Sequence, residues 1–80
     1  MNTHDLTLAS LPAGESAYVL RIESEGAMLR RFTDIGLVPG TRVRCEYAAP
    51  SGDPRAYLIH GAVIAVRARD AREVILSKTI

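Results

Sequence analysis

Cysteine is nearly missing from this chain of 80 residues, tryptophan is missing altogether, and the aromatics come to one phenylalanine and three tyrosines. With Cys45 alone, no intramolecular disulfide can form, so packing must hold the fold and a reducing compartment is implied. No stretch approaches the roughly 18 apolar residues of a membrane helix. The opening MNTHDLTLASLPAGES also lacks the basic-then-apolar pattern of a secretory signal, so the expectation is a cytoplasmic protein without direct membrane insertion. Charge of one sign is lacking too. Ten Lys and Arg against nine Asp and Glu leave a net +1, whereas a dedicated nucleic-acid binder of this size gathers a larger positive excess on one face. Base-stacking platforms need exposed aromatics, and of Tyr18, Phe32, Tyr47 and Tyr57, Phe32 and Tyr47 fall in core patterns. Arg30, Arg31, Arg42, Arg44 and Arg55 therefore read as a solvated face, with no nucleic acid as partner.

The constellations of catalysis are absent as well. The acidic residues are scattered among strands, turns and helix ends without an evident acid–base pair, and no serine sits in a G-x-S-x-G setting. Gly36 to Gly40 lacks the Lys-Ser/Thr of a phosphate loop and leads into a strand rather than out of one. His4, His60 and Cys45 have no metal-ligand spacing. His60 reads as an exposed turn residue and Cys45 as a small core hydrophobe, with any metal on His4, His60 or Cys45 adventitious. The reading is a non-enzymatic protein with no catalytic, cofactor or metal residue to assign.

What is present is a soluble globular composition, 48% hydrophobic and 24% charged, in a length that suits one domain, residues 6–80, after a flexible N-terminus 1–5. Its organising stretch is MLRRFTDIGLVPG, residues 28–40. Met28, Leu29, Phe32 and Ile35 make an apolar stripe on a helix predicted over about 25–35, with Ser24 as N-cap and Glu25 complementing the dipole. Gly36 fits a left-handed C-terminal cap, and Pro39-Gly40 the centre of a type II turn. The strand that follows, Thr41 to Ala48, alternates so that Val43, Cys45 and Tyr47 share the inward face.

Upstream, Leu6, Leu8 and Leu11 are core candidates, and Ser16 to Glu23 reads as the first long strand. Downstream, Pro50 to Pro54 is a loop and His60-Gly61 a two-residue hairpin turn between strands 56–59 and 62–66. Arg69 to Arg72 looks like one turn and Val74 to Leu76 a closing strand. Five short strands, one helix and glycine-marked turns predict a mainly β fold, a small antiparallel barrel closed on itself to avoid free edges.

The segment RRFTDIGLVPGTRV resembles the signature of the FeoA family, small cytoplasmic proteins of bacterial ferrous-iron uptake. The pattern is R-L-x-x-L-G-hydrophobic-x-P-G-x-x-V, with Phe32 standing where leucine is commoner. The stretch from Val63 to Leu76 is similar to the family's closing pattern. The resemblance implies an SH3-like barrel with the helix inserted between the first two long strands. It also implies a partner, the FeoB-type membrane GTPase transporter, assisted from the cytoplasmic side. An apolar surface near the helix, made by whichever of Leu29, Leu37 and Val38 is exposed, with Arg30 and Arg31 at its rim, is the expected partner-binding site. The alternatives are a detached SH3-like regulatory domain related to iron-dependent repressors and a small nucleic-acid-binding barrel. Apolar hairpin faces leave a homo-oligomer open.

Overall fold

The computed structural model describes residues 5–79; His4 and most of the N-terminal segment expected to be flexible lie outside them. A 3₁₀ turn, Leu8–Ser10, precedes β1 (Ser16–Ile22), α1 (Gly26–Asp34), β2 (Arg42–Ala48), β3 (Arg55–Ile59), β4 (Ala62–Val66), α2 (Ala68–Ala71) and β5 (Val74–Ser77). All pairings are antiparallel, in one sheet of order β4-β3-β2-β1-β5. The fold is mainly β, as the pattern of short strands predicts.

Closure of the barrel is not observed. The edge strands β4 and β5 do not pair with each other. The two edges fare differently. Along β5 the Leu76 N–H donates to the Leu6 carbonyl at 2.8 Å and Thr7 bridges Ile75, so the chain's own start covers that side. Along β4 no strand is added among the described residues.

The helix ends as its sequence dictates. Gly36 takes φ +88°, its N–H donates to the Thr33 carbonyl at 3.0 Å, and the Leu37 N–H donates to Phe32 at 2.9 Å. This pair of bonds is a Schellman motif, which satisfies carbonyls that the last turn would leave bare. Gly40 at φ +91° and the Thr41 N–H to the Val38 carbonyl, 3.0 Å, complete the turn centred on Pro39-Gly40. The helix start differs from expectation. Glu25, not Ser24, occupies the N-cap position, without a side-chain cap bond. Ser24 is buried, and its hydroxyl donates to Glu73 Oε1 at 2.6 Å, tying the helix entry to the residue before β5.

Two strands depart from simple alternation. In β2, Val43 and Cys45 are buried as predicted, but Tyr47 is 61% exposed. The β2–β3 register shifts between Cys45 and Tyr47, and one extra residue in a period-2 strand sends the next side chain to the opposite face. A second shift, between Val19 and Arg21 in the β1–β5 pairing, ends the buried series of Ala17 and Val19, so that Arg21, two residues on, is exposed. The core gathers the inner faces of all five strands with Leu8, Leu11, Phe32 and Leu37.

Candidate interaction surface

The uncovered edge of β4 borders a groove of about 380 Å³. Helix α1 and its C-cap form one wall with Met28, Arg31, Phe32 and Ile35; β4 forms the other with Ile64, Ala65 and Val66; Arg67, Arg69 and Asp70 also line it. Because α1 buries Phe32 and partly buries Met28 and Ile35 against the core, the next residue on that side, Arg31, is carried to the groove's lip. The Asp53 carboxylate accepts from the Ala68 N–H at 3.0 Å, which fixes the start of α2 and so the positions of Arg67 and Arg69. Asp70 lies 3.9 Å from Arg69. Arg31 and Arg67 have no ion pair among the described residues. The groove is apolar along its length and cationic at its rim.

The five residues expected at a partner surface separate here. Arg30 and Arg31 are exposed, and Leu29 and Val38 are each 38% exposed. Leu37 is not a surface residue at all. It is 0% exposed, because the Schellman motif folds it back under the end of α1 into the core. Sequence reasoning missed Ile64, Arg67 and Arg69. The available signal was a strand without charge, AVIAV, followed directly by R-A-R.

A second, shallower hollow of about 200 Å³ is lined by Arg42, Arg44, Leu58 and His60. Its arginines are engaged: Arg42 donates to the Ser16 hydroxyl at 3.3 Å and Arg44 pairs with Glu46 at 3.5 Å. His60 is exposed in its turn, as expected, with Nε2 3.0 Å from the Gly36 carbonyl.

Arg55 does not belong to a solvated face. It is partly buried, its two terminal nitrogens donate to the carbonyls of Ala9 and Leu11, and one of them lies 3.4 Å from Cys45 Sγ. Burial works against its charge, but the neighbouring Cys45 and Tyr57 outweigh it and hold the guanidinium above its ordinary pKa. Burial pushes the Tyr57 phenol up to about 12, the nearby Arg55 charge acting the other way. The Tyr57 hydroxyl donates to the Leu8 carbonyl at 2.7 Å. These groups fasten the 3₁₀ turn to β3. Cys45 is fully buried beside them, and among the described residues no three His, Cys, Asp or Glu side chains gather to hold a metal ion. No helix of the described residues is long and apolar enough to cross a membrane.

The model of the FeoA domain family matches residues 6–78. A fusion protein of Porphyromonas gingivalis, Fe(2+) transport protein A joined to the Fe(2+) transporter FeoB, is 29% identical over 69 residues. That match takes in 86% of this chain and only 8% of the fusion protein. The solution structure of iron(II) transport protein A from Clostridium thermocellum superposes with a TM-score of 0.88 at 29% identity, covering 91% of this chain and 45% of that one. FeoA of Stenotrophomonas maltophilia, an SH3 domain protein solved with zinc, gives a TM-score of 0.80 at 29% identity, covering 90% and 89% of the two chains. A manganese-dependent transcriptional repressor shares the fold alone, at 21% identity.

Proposed function

The chain belongs to the FeoA family, and on that premise we propose that it is a non-enzymatic accessory module of ferrous-iron uptake that binds the cytoplasmic side of a FeoB-type GTPase transporter. The observation that carries this reading is the Porphyromonas gingivalis protein, in which one polypeptide joins a segment similar to this chain to the transporter. A covalent link holds two parts at an effective concentration of about a millimolar. A separate chain reaches the same arrangement only through a binding surface of its own.

The SH3-like fold supplies a rigid sheet, and the exposed flank of α1 with Leu29, Arg30 and Arg31, together with Val38, supplies apolar and cationic contacts for docking. Leu37 supports that surface from beneath. The test is retention of the transporter from detergent-solubilised membranes by the tagged chain, repeated with Leu29→Asp and with Arg30 and Arg31 both changed to Glu, each variant checked for folding by circular dichroism. Retention by wild type and its loss in a folded variant is the expected result. Absence of retention by wild type at low and physiological salt overturns the reading.

The likeness to the transcriptional repressor favours a second reading, a regulatory domain acting on another protein in trans. Among the described residues, helices of nine and four residues leave no helix-turn-helix for contacting DNA. That reading therefore requires a DNA-binding partner recovered in the same retention experiment.

A further inference from the structure

We propose that the groove between α1 and β4 takes an extended, acidic peptide segment as a sixth strand, hydrogen-bonded to the outer edge of β4. The inference does not depend on the iron-uptake reading. It follows from what β4 leaves unpaired and from what surrounds it.

The hairpin turn fixes which main-chain groups face outward. His60 and Gly61 have φ +50° and +82°, so the two-residue turn is type I′, and its flanking residues Ile59 and Ala62 form a hydrogen-bonded pair. Hydrogen-bonded and non-hydrogen-bonded pairs alternate along an antiparallel ladder. The β3–β4 register is unbroken, so Tyr57–Ile64 and Arg55–Val66 are bonded pairs as well. Val63 and Ala65 therefore turn their N–H and C=O groups away from β3. Among the described residues, no other strand meets them and no backbone partner is found for them.

Edges of this kind are ordinarily protected by charge, proline, bulges or a covering element. The sequence AVIAV has no charge and no proline, its register has no bulge, and Val63 is 59% exposed. At five residues, β4 offers pairing over roughly 17 Å. Across the groove, Met28, Phe32 and Ile35 provide an apolar wall for alternate side chains of an incoming strand.

Charge selects the occupant. Arg31, Arg67 and Arg69 surround the groove against Asp70 alone, which suits carboxylates on the incoming segment. A second copy of β4, AVIAV, brings no acidic residue to meet those arginines.

The test uses the purified chain and a capped heptapeptide of alternating valine and glutamate, followed by NMR titration and amide hydrogen exchange. One-to-one binding with exchange slowed at the Val63 and Ala65 amides is expected. Binding weakens roughly tenfold when Arg31 and Arg67 are both changed to Glu, and that variant instead binds the valine–lysine counterpart. Ala65→Pro removes one outward donor without an internal hydrogen bond, a place where an edge strand tolerates proline, and weakens binding while the fold persists. If Ala65→Pro does not fold, the exchange measurement on wild type still decides.

No binding at millimolar peptide, or saturation with unchanged exchange at Val63 and Ala65, overturns the proposal. Slowed exchange that grows with protein concentration in the absence of peptide assigns the edge to a second copy and overturns it too. Arg31 belongs to both surfaces, so the two proposals are read apart by Leu29→Asp, a residue outside the groove lining, in the retention of the transporter, and by Ala65→Pro in the peptide titration.

Discussion

The imidazole of His60 rests on the backbone of Gly36: Nε2 lies 3.0 Å from the glycine carbonyl, and a Cβ at position 36 would stand 2.5 Å from the ring's Cδ2. A carbonyl only accepts, so Nε2 carries the proton of this bond. The contact clips the β3–β4 hairpin to the C-terminal cap of α1, holding together the two elements that wall the groove.

Gly36→Ala is expected to destabilise for two separable reasons. A left-handed φ costs an alanine about 1–2 kcal/mol, and the ring must swing away, forfeiting a hydrogen bond of about 1 kcal/mol. In a His60→Ala background only the first cost remains. A double-mutant cycle by urea denaturation should show a coupling of about 1 kcal/mol, and strict additivity would mean that the clip contributes nothing.

Leu37 is completely buried and belongs to the core. Truncation to alanine is expected to cost about 2–5 kcal/mol, enough to unfold most of a marginal small domain. Leu29→Asp and Val38→Asp, at positions 38% exposed, should cost far less. Thermal unfolding of the three variants checks this order, and a stable, cooperative Leu37→Ala protein would remove Leu37 from the core.

Arg55 reaches back to Ala9 and Leu11 with two different nitrogens, a fork that lysine lacks. Arg55→Lys is expected to leave at least one carbonyl unsatisfied, at about 1–3 kcal/mol, and to loosen the 3₁₀ turn over Cys45. The thiol should then react faster with a disulfide reagent under native conditions. An unchanged labelling rate would show that Leu8 and Leu11 hold the turn without the guanidinium.

The features legible in the sequence were those with a local cause. Gly36, Pro39-Gly40 and His60-Gly61 each impose a backbone geometry that needs no distant partner, and each turn stands where its residues place it. Tyr47 was misplaced because the shift that turns it outward arises in pairing with β3, which no residue in β2 announces. Arg55 was misplaced because the carbonyls that bury it lie 44 and 46 positions earlier. For the groove, Arg31 could be named from the helix pattern alone. Ile64, Arg67 and Arg69 join it only once the hairpin has folded beside α1, and the open edge follows from β4 and β5 not meeting.

Tyr57 gives the fold a dependence on alkaline pH. Its side chain is 0% exposed, its hydroxyl donates to Leu8 at 2.7 Å, and burial raises its pKa from 10.0 to about 12. In the unfolded chain the phenol loses its proton near pH 10. The native state thus binds more protons than the unfolded state between these values, and stability falls as pH rises through that interval. The contribution is fully present below about pH 10 and is lost progressively toward pH 12, in all about 2–3 kcal/mol. Tyr57→Phe gives up the hydrogen bond, at a cost of about 0.5–1.5 kcal/mol at neutral pH, but also the titration. Urea midpoints of the two proteins, measured from pH 8 to pH 11, should therefore converge as pH rises. Tyr18 and Tyr47 are common to both and cancel in the difference. A gap that stays constant across the range would mean that the Tyr57 hydroxyl ionises as freely in the folded protein as outside it, and that its bond to Leu8 does not hold the proton in place.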